Sequence, residues 1–129
     1  MAHILLIDDD ELLRDTVLQM LQLDRHEVTE APDGQTALRL VAGRSGRGFD
    51  LVITDVLMPG MDGTRVIVEL RRSHPRLPII AISGGRRVLS PQFNLETAAL
   101  AGAVCQLAKP FTRQALQAAV AVALECAPT

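Results

Sequence analysis

Two hydrophobic periods alternate along the 129 residues of the chain. Short uninterrupted apolar runs are each followed by stretches in which apolar residues recur three or four positions apart. The first kind is the pattern of strands buried on both faces, the second that of amphipathic helices. Ile4, Leu5, Leu6 and Ile7 predict a buried strand over His3–Ile7. From Leu12 the period turns helical through Leu13, Val17, Leu18, Met20 and Leu21. Residues 26–31 predict a weaker strand, polar at Glu27, Thr29 and Glu30, which belongs at a sheet edge. Pro32-Asp33-Gly34 is turn chemistry, and Ala37, Leu38 and Val41 carry a short helix over 35–42. A third strand starts at Leu51 and stops at Asp55, and Val66, Ile67 and Leu70 mark a helix ending near Pro75. Residues 78–83 form a fourth predicted strand. Ser90-Pro91 supplies an N-cap and first-turn proline for a fourth helix reaching about Ala101, with Gly102 as its stop. A fifth strand over 103–107 precedes a last helix, capped by Thr112 and reaching about Cys126.

Strand and helix therefore alternate five times. Helical crossovers force parallel strands, which gives an α/β doubly wound sheet in one domain. The flavodoxin-like order 2-1-3-4-5, with five helices, is the natural arrangement. In that order strands 1 and 3 adjoin, and ligands bind in the crevice at their carboxyl ends. Asp8 and Asp9, after the first strand, would meet Asp55 there. Ser83 and Lys109, after strands 4 and 5, would face the same crevice.

Composition narrows the function without naming it. Hydrophobic residues make up 48% of the chain, with no Trp or Tyr and three Phe, so the core must be aliphatic. A formal charge of −2 gives no footing for non-specific nucleic-acid binding, and the small arginine groups read as solvated loops and helix ends. Cys105 and Cys126 are too few for a disulfide framework. No signal peptide precedes the first strand and no apolar run has membrane-spanning length, so a cytoplasmic protein is expected. The glycines of residues 43–48 lack the Gly-Lys-Ser/Thr ending of a phosphate cradle and do not lie between a strand and a helix.

A lone strand-end Asp55 reads equally well as a turn cap. The run Asp8-Asp9-Asp10 exceeds what capping a helix requires, and its carboxylates repel one another unless a cation is present.

Taken together, Leu5-Leu6-Ile7-Asp8-Asp9-Asp10, Asp50-Leu51-Val52-Ile53-Thr54-Asp55 with Met58-Pro59-Gly60-Met61-Asp62-Gly63, Ala81-Ile82-Ser83 and Lys109-Pro110-Phe111 resemble the receiver domain of bacterial response regulators. The resemblance covers essentially the whole chain. It implies that Asp55 is a phosphoryl acceptor, and that Asp8, Asp9, Asp55 and the main-chain carbonyl of Leu57 hold Mg²⁺. By the same resemblance Lys109 neutralises phosphoryl oxygens, Ser83 donates a hydrogen bond to the attached phosphoryl group, and the Lys109-Pro110 bond is cis. Asp10 would be a solvated acid at the helix start, and Asp62 and Gly63 would shape the turn. The implied protein is a switch rather than an enzyme: a histidine kinase or phosphotransfer protein donates the phosphoryl group. A surface of helix 4, strand 5 and helix 5 then changes shape for a downstream partner, a homodimer or a phosphorelay. A single receiver without an output domain is expected, contacting neither nucleic acid nor membrane.

Three departures stand out. Gln106 occupies the place where receivers often carry a switching aromatic residue, so ring burial cannot transmit the signal. The segment from Ser83 to Lys109 is a few residues longer than usual, and Gly84-Gly85-Arg86-Arg87 reads either as a lid for an anionic group or as a longer surface loop. The last helix is apolar nearly all round, leaving Ala118, Ala121 and Val122 outside as a docking patch or as tolerated helix formers. Two other functions compete. One is a haloacid dehalogenase-type phosphatase with Asp8 as nucleophile and Asp10 as acid-base; the other is a degenerate receiver that docks without phosphorylation. If the last helix is a docking face, Val122→Glu is expected to change the oligomeric state or kinase docking. Size-exclusion chromatography and kinase pull-down check this, and no change in either removes the docking reading.

Overall fold

β1 (His3–Ile7) pairs in parallel with β2 (Glu27–Ala31) on one side and β3 (Leu51–Asp55) on the other, and β4 (Ile79–Ser83) and β5 (Cys105–Ala108) complete the sheet. Its order is β2-β1-β3-β4-β5, as the crossover rules require. This computed structural model describes residues 2–43, 48–55, 63–83, 103–108 and 111–126. Four helices lie among the described residues: α1 (Glu11–Leu23), α2 (Gly34–Gly43), α3 (Gly63–Ser73) and α4 (Arg113–Cys126). The fourth predicted helix and the Gly84-Gly85-Arg86-Arg87 segment lie outside the described residues, so α4 is the last of the five predicted helices.

The uninterrupted apolar strands follow from burial on both faces. Leu5, Ile7, Val52, Ile79 and Ala81 point to one side and pack with residues of α2 and α3. Ile4, Leu6, Leu51, Ile53, Ile80 and Ile82 point to the other, where Val17 and Leu21 of α1 and Leu116, Val120 and Ala123 of α4 cover them. Successive residues of a strand alternate between faces, so a strand covered on both sides needs an apolar residue at every position. β2 is an edge strand and shows it: Ala31 alone is fully buried there. On α4 the sheet-facing stripe and the exposed Ala118, Ala121 and Val122 fall where the periodicity puts them.

The element ends are fixed by polar contacts that periodicity does not reveal. α1 begins at Glu11 because Asp10 is its N-cap, accepting from the amides of Leu12 and Leu13 at 3.1 and 3.2 Å. It ends without a glycine. Arg25 takes the left-handed conformation (φ 65°) while its amide reaches Gln22 O and the His26 amide reaches Leu21 O, the bond pattern of a Schellman turn. His26 is spent on that turn and on accepting the Ala2 amide at Nδ1, so β2 starts at Glu27 rather than at residue 26. β5 likewise starts two residues later than predicted, at Cys105, with the Val104 amide bonded to Ile79 O as a lead-in. Asp24, at the end of α1, accepts from Arg113 and Gln117 of α4, each at 2.6 Å. Partial burial opposes its ionisation, but these two bonds and the Arg113 charge outweigh it and hold the carboxyl below its ordinary value.

α2 opens on Asp33, whose Oδ1 accepts the Thr36 amide at 2.7 Å and whose carbonyl accepts the Ala37 amide. The bonds from Thr36 lower the Asp33 pKa below 3.8. A depressed carboxyl adds stability that is full above 3.8 and disappears as pH falls through the folded-state value. Asp33→Ala is therefore expected to cost about 1 kcal/mol in urea unfolding at pH 7, the usual worth of an N-cap. That difference from wild type is expected to narrow as pH drops below 3.8, the ordinary Asp value.

Candidate functional site

The site begins with a register. Ile7 pairs with Thr54, so the chain leaves β1 as Asp8 beside the end of β3 at Asp55. Apolar packing on both faces buries these last strand positions, and Asp8 and Asp55 are only 3% and 2% exposed. Asp9 follows at intermediate burial, and a carboxylate oxygen from each of the three lies within 4.8 Å of the others.

The backbone around them is held tightly. The Asp8 amide donates to Ala31 O at 3.2 Å, extending the β1–β2 ladder by one residue. The Asp8 carbonyl accepts from Arg14 Nη1 at 2.6 Å, and Asp8 Oδ1 accepts the Asp10 amide at 2.9 Å. Thr54, fully buried, donates its hydroxyl to the Asp55 carbonyl at 3.0 Å. Asp10 is not a merely solvated acid. Its carboxylate is spent on capping α1, which leaves Asp8, Asp9 and Asp55 as the acidic set.

Three carboxylates at this spacing repel strongly in a partly desolvated crevice. Their oxygen-only donor set suits a small, hard divalent cation, which binds protein carboxylates while keeping several waters. By composition and burial the residues fit such an ion.

The other expected site residues are placed in part. Ser83 ends β4 directly after Ile82, the partner of Asp55, so its backbone reaches the same end of the sheet. Ala108, the residue before Lys109, pairs with Ser83, and Gln106 lies in β5 opposite Ala81. Leu57 and Lys109 lie outside the described residues, as does the turn from Met58 to Asp62. Arg14 and Glu30 were not singled out by sequence reasoning, yet Arg14 Nε donates to Glu30 Oε1 at 3.2 Å while Nη1 holds the Asp8 carbonyl.

Comparison with known proteins identifies the family. The family model for the response regulator receiver domain matches residues 4–121. The chain belongs to the receiver family. It is 35% identical over 115 residues to response regulator protein FleR of Pseudomonas aeruginosa, covering 89% of this chain and 23% of that protein. It is 36% identical over 117 residues to response regulator MprA of Mycolicibacterium vanbaalenii, covering 91% and 48%. The chain thus spans less than half the length of both curated relatives. A receiver domain protein from Clostridium thermocellum superimposes with a TM-score of 0.87 at 30% identity, over 97% of this chain and 95% of the other. Among the described residues, no helix of this receiver is long and apolar enough to cross a membrane.

The crowded carboxylates generate a direct expectation. In EDTA, Asp55→Asn is expected to raise the stability of the receiver by on the order of 1–3 kcal/mol, because it removes one of three mutually repelling charges. Thermal unfolding at low ionic strength checks this, and an unchanged or lower melting temperature contradicts the electrostatic picture.

Proposed function

We propose that this receiver is a phosphorylation switch whose acceptor is Asp55 and whose phosphoryl donor is a phosphohistidine of a histidine kinase or phosphotransfer protein. The observation that carries the reading is the meeting of Asp8, Asp9 and Asp55 within 4.8 Å at the adjacent ends of β1 and β3, in a chain of the receiver family. An ionised Asp55 carboxylate, 2% exposed and so with little water competing for its oxygens, is a usable nucleophile toward phosphorus. One Asp55 oxygen attacks the phosphorus. The new O–P bond forms as the donor's P–N bond breaks, and the departing imidazole keeps the electron pair and takes up a proton. An acyl phosphate on Asp55 results, so the receiver acts as an acceptor with at most self-catalysed transfer and hydrolysis.

Asp8, Asp9, Asp55 and the main-chain carbonyl of Leu57 would hold Mg²⁺. When bound, that ion offsets the carboxylate charges and the negative charge on the phosphoryl oxygens. Lys109 supplies the other positive charge, and Ser83 donates a hydrogen bond once the phosphoryl group is attached. Phosphorylation adds roughly one to two negative charges at the strand ends. The response passes through Ser83 into the predicted fourth helix, β5 and α4, whose exposed Val122 is 47% accessible. That face would meet a downstream partner or a second copy of the chain. Gln106 replaces ring movement with a change of hydrogen bonding in β5.

Incubation with Mg²⁺ and a small phosphodonor, followed by mapping of the acid-labile adduct, tests the assignment. The adduct is expected on Asp55, and neither Asp55→Asn nor wild type in EDTA is expected to accumulate it. An adduct on Asp8 would return the phosphatase reading. No adduct at all would favour a docking module independent of phosphorylation.

A further inference from the structure

Resting on the cation site proposed above, we infer that Arg14 is a positioning residue for the Asp8–Asp9 limb of that site, and that Glu30 aims it. Arg14 lies in the first turns of α1, with its side chain only 16% exposed. The guanidinium joins three elements. Its Nη1 donates to the Asp8 carbonyl at 2.6 Å, just past β1, and its Nε donates to Glu30 Oε1 at 3.2 Å, on β2. Its own amide closes the first turn of α1 on Asp10 O at 2.8 Å.

A surface Arg–Glu pair by itself contributes little. What distinguishes this one is the second arm. The Asp8 carbonyl belongs to the peptide unit that links Asp8 to Asp9. Holding that oxygen fixes the plane from which both carboxylates depart, and a charge-assisted bond of this length is among the stronger ones available. With the Asp8 amide tied to Ala31 O and Asp8 Oδ1 tied to the Asp10 amide, Asp8 is braced at three points. A flat, forked guanidinium can serve Glu30 and the carbonyl at once, whereas an ammonium group offers no such fixed fork.

Charge and geometry predict opposite signs, which makes the inference testable. As a charge, Arg14 repels a divalent cation, so its removal would tighten binding. As a brace it preorganises two ligands, and loss of a partner that orients metal ligands typically weakens affinity by roughly 10–100-fold. Mg²⁺ affinity is measured by titration calorimetry on the full chain for wild type, Arg14→Ala, Arg14→Lys and the control Asp9→Asn, with melting in EDTA as the readout of the fold. Arg14→Ala is expected to bind Mg²⁺ about tenfold more weakly. Arg14→Lys keeps the charge and the stem and serves if the alanine variant does not fold; it is expected to weaken binding severalfold. Arg14→Ala binding Mg²⁺ as tightly as wild type or more tightly overturns the inference, as does wild-type affinity in Arg14→Lys. If wild type takes up no Mg²⁺, or Asp9→Asn binds it unchanged, the cation site falls and the inference falls with it. Binding lost in Asp9→Asn but unaltered in the Arg14 variants overturns the inference alone.

Discussion

Parallel pairing of β1 with β3 is the constraint on which the molecule depends. The pairing of Ile7 with Thr54 brings two strands to their ends side by side, with Asp8 directly after β1 and Asp55 closing β3. Burial of Asp8 and Asp55 follows from the apolar layers on both faces of the sheet, not from any local preference of carboxylates. Burying like charges together is unfavourable, and aliphatic packing elsewhere in the sheet must outweigh it. The same packing makes the cluster useful. For the proposed function, a rigid sheet that already holds the carboxylates at short range would leave little reorganisation for binding a cation or a phosphoryl group.

Backbone hydrogen bonds carry this constraint from the sheet to the side chains. The ladder between β1 and β2 runs one residue past the strand to the Asp8 amide, while Asp10 starts α1 two residues further on. Asp8, Asp9 and Asp10 therefore occupy a turn closed at both ends, with the Arg14 guanidinium across it. Adjacent aspartates divide the work by geometry: Asp10 caps the helix, while Asp8 and Asp9 face Asp55. On the far side of the sheet-covering layer, Asp24 ties the end of α1 to Arg113 and Gln117 of α4. The two helices that cover one face are thus joined through a polar contact as well as through the core.

Most of the architecture was legible in the sequence, for a physical reason. Ile4 to Ile7, Leu51 to Ile53 and Ile79 to Ile82 are apolar at consecutive positions, and only a strand covered on both faces needs that. Once these three central strands and two edge strands alternate with helices, crossover handedness leaves few orders, and the acidic strand ends fall together. What escaped was contact between elements distant in sequence. Arg14 read as one more polar residue of an amphipathic helix, and Glu30 as the polar side of an edge strand. Only the pairing of Leu6 with Glu30 brings that carboxylate beside α1. The end of α1 was equally silent, because Arg25 performs a turn for which glycine is the usual signal. Asp10 was identified as a helix-start acid, but its capping bonds separate it from its neighbours only in three dimensions.

Central to the proposed function is a single crevice in which Asp8, Asp9 and Asp55 would act as one cation-dependent unit. The most direct test is a Mg²⁺ titration of the isotopically labelled chain followed through backbone amide resonances. Saturable shifts are expected to concentrate at residues 8–10 and at Thr54 and Asp55, on one common binding curve, with little change in α2 or at the opposite end of the sheet. Shifts at the end of β1 without shifts at the end of β3, or separate affinities for the two, would contradict it.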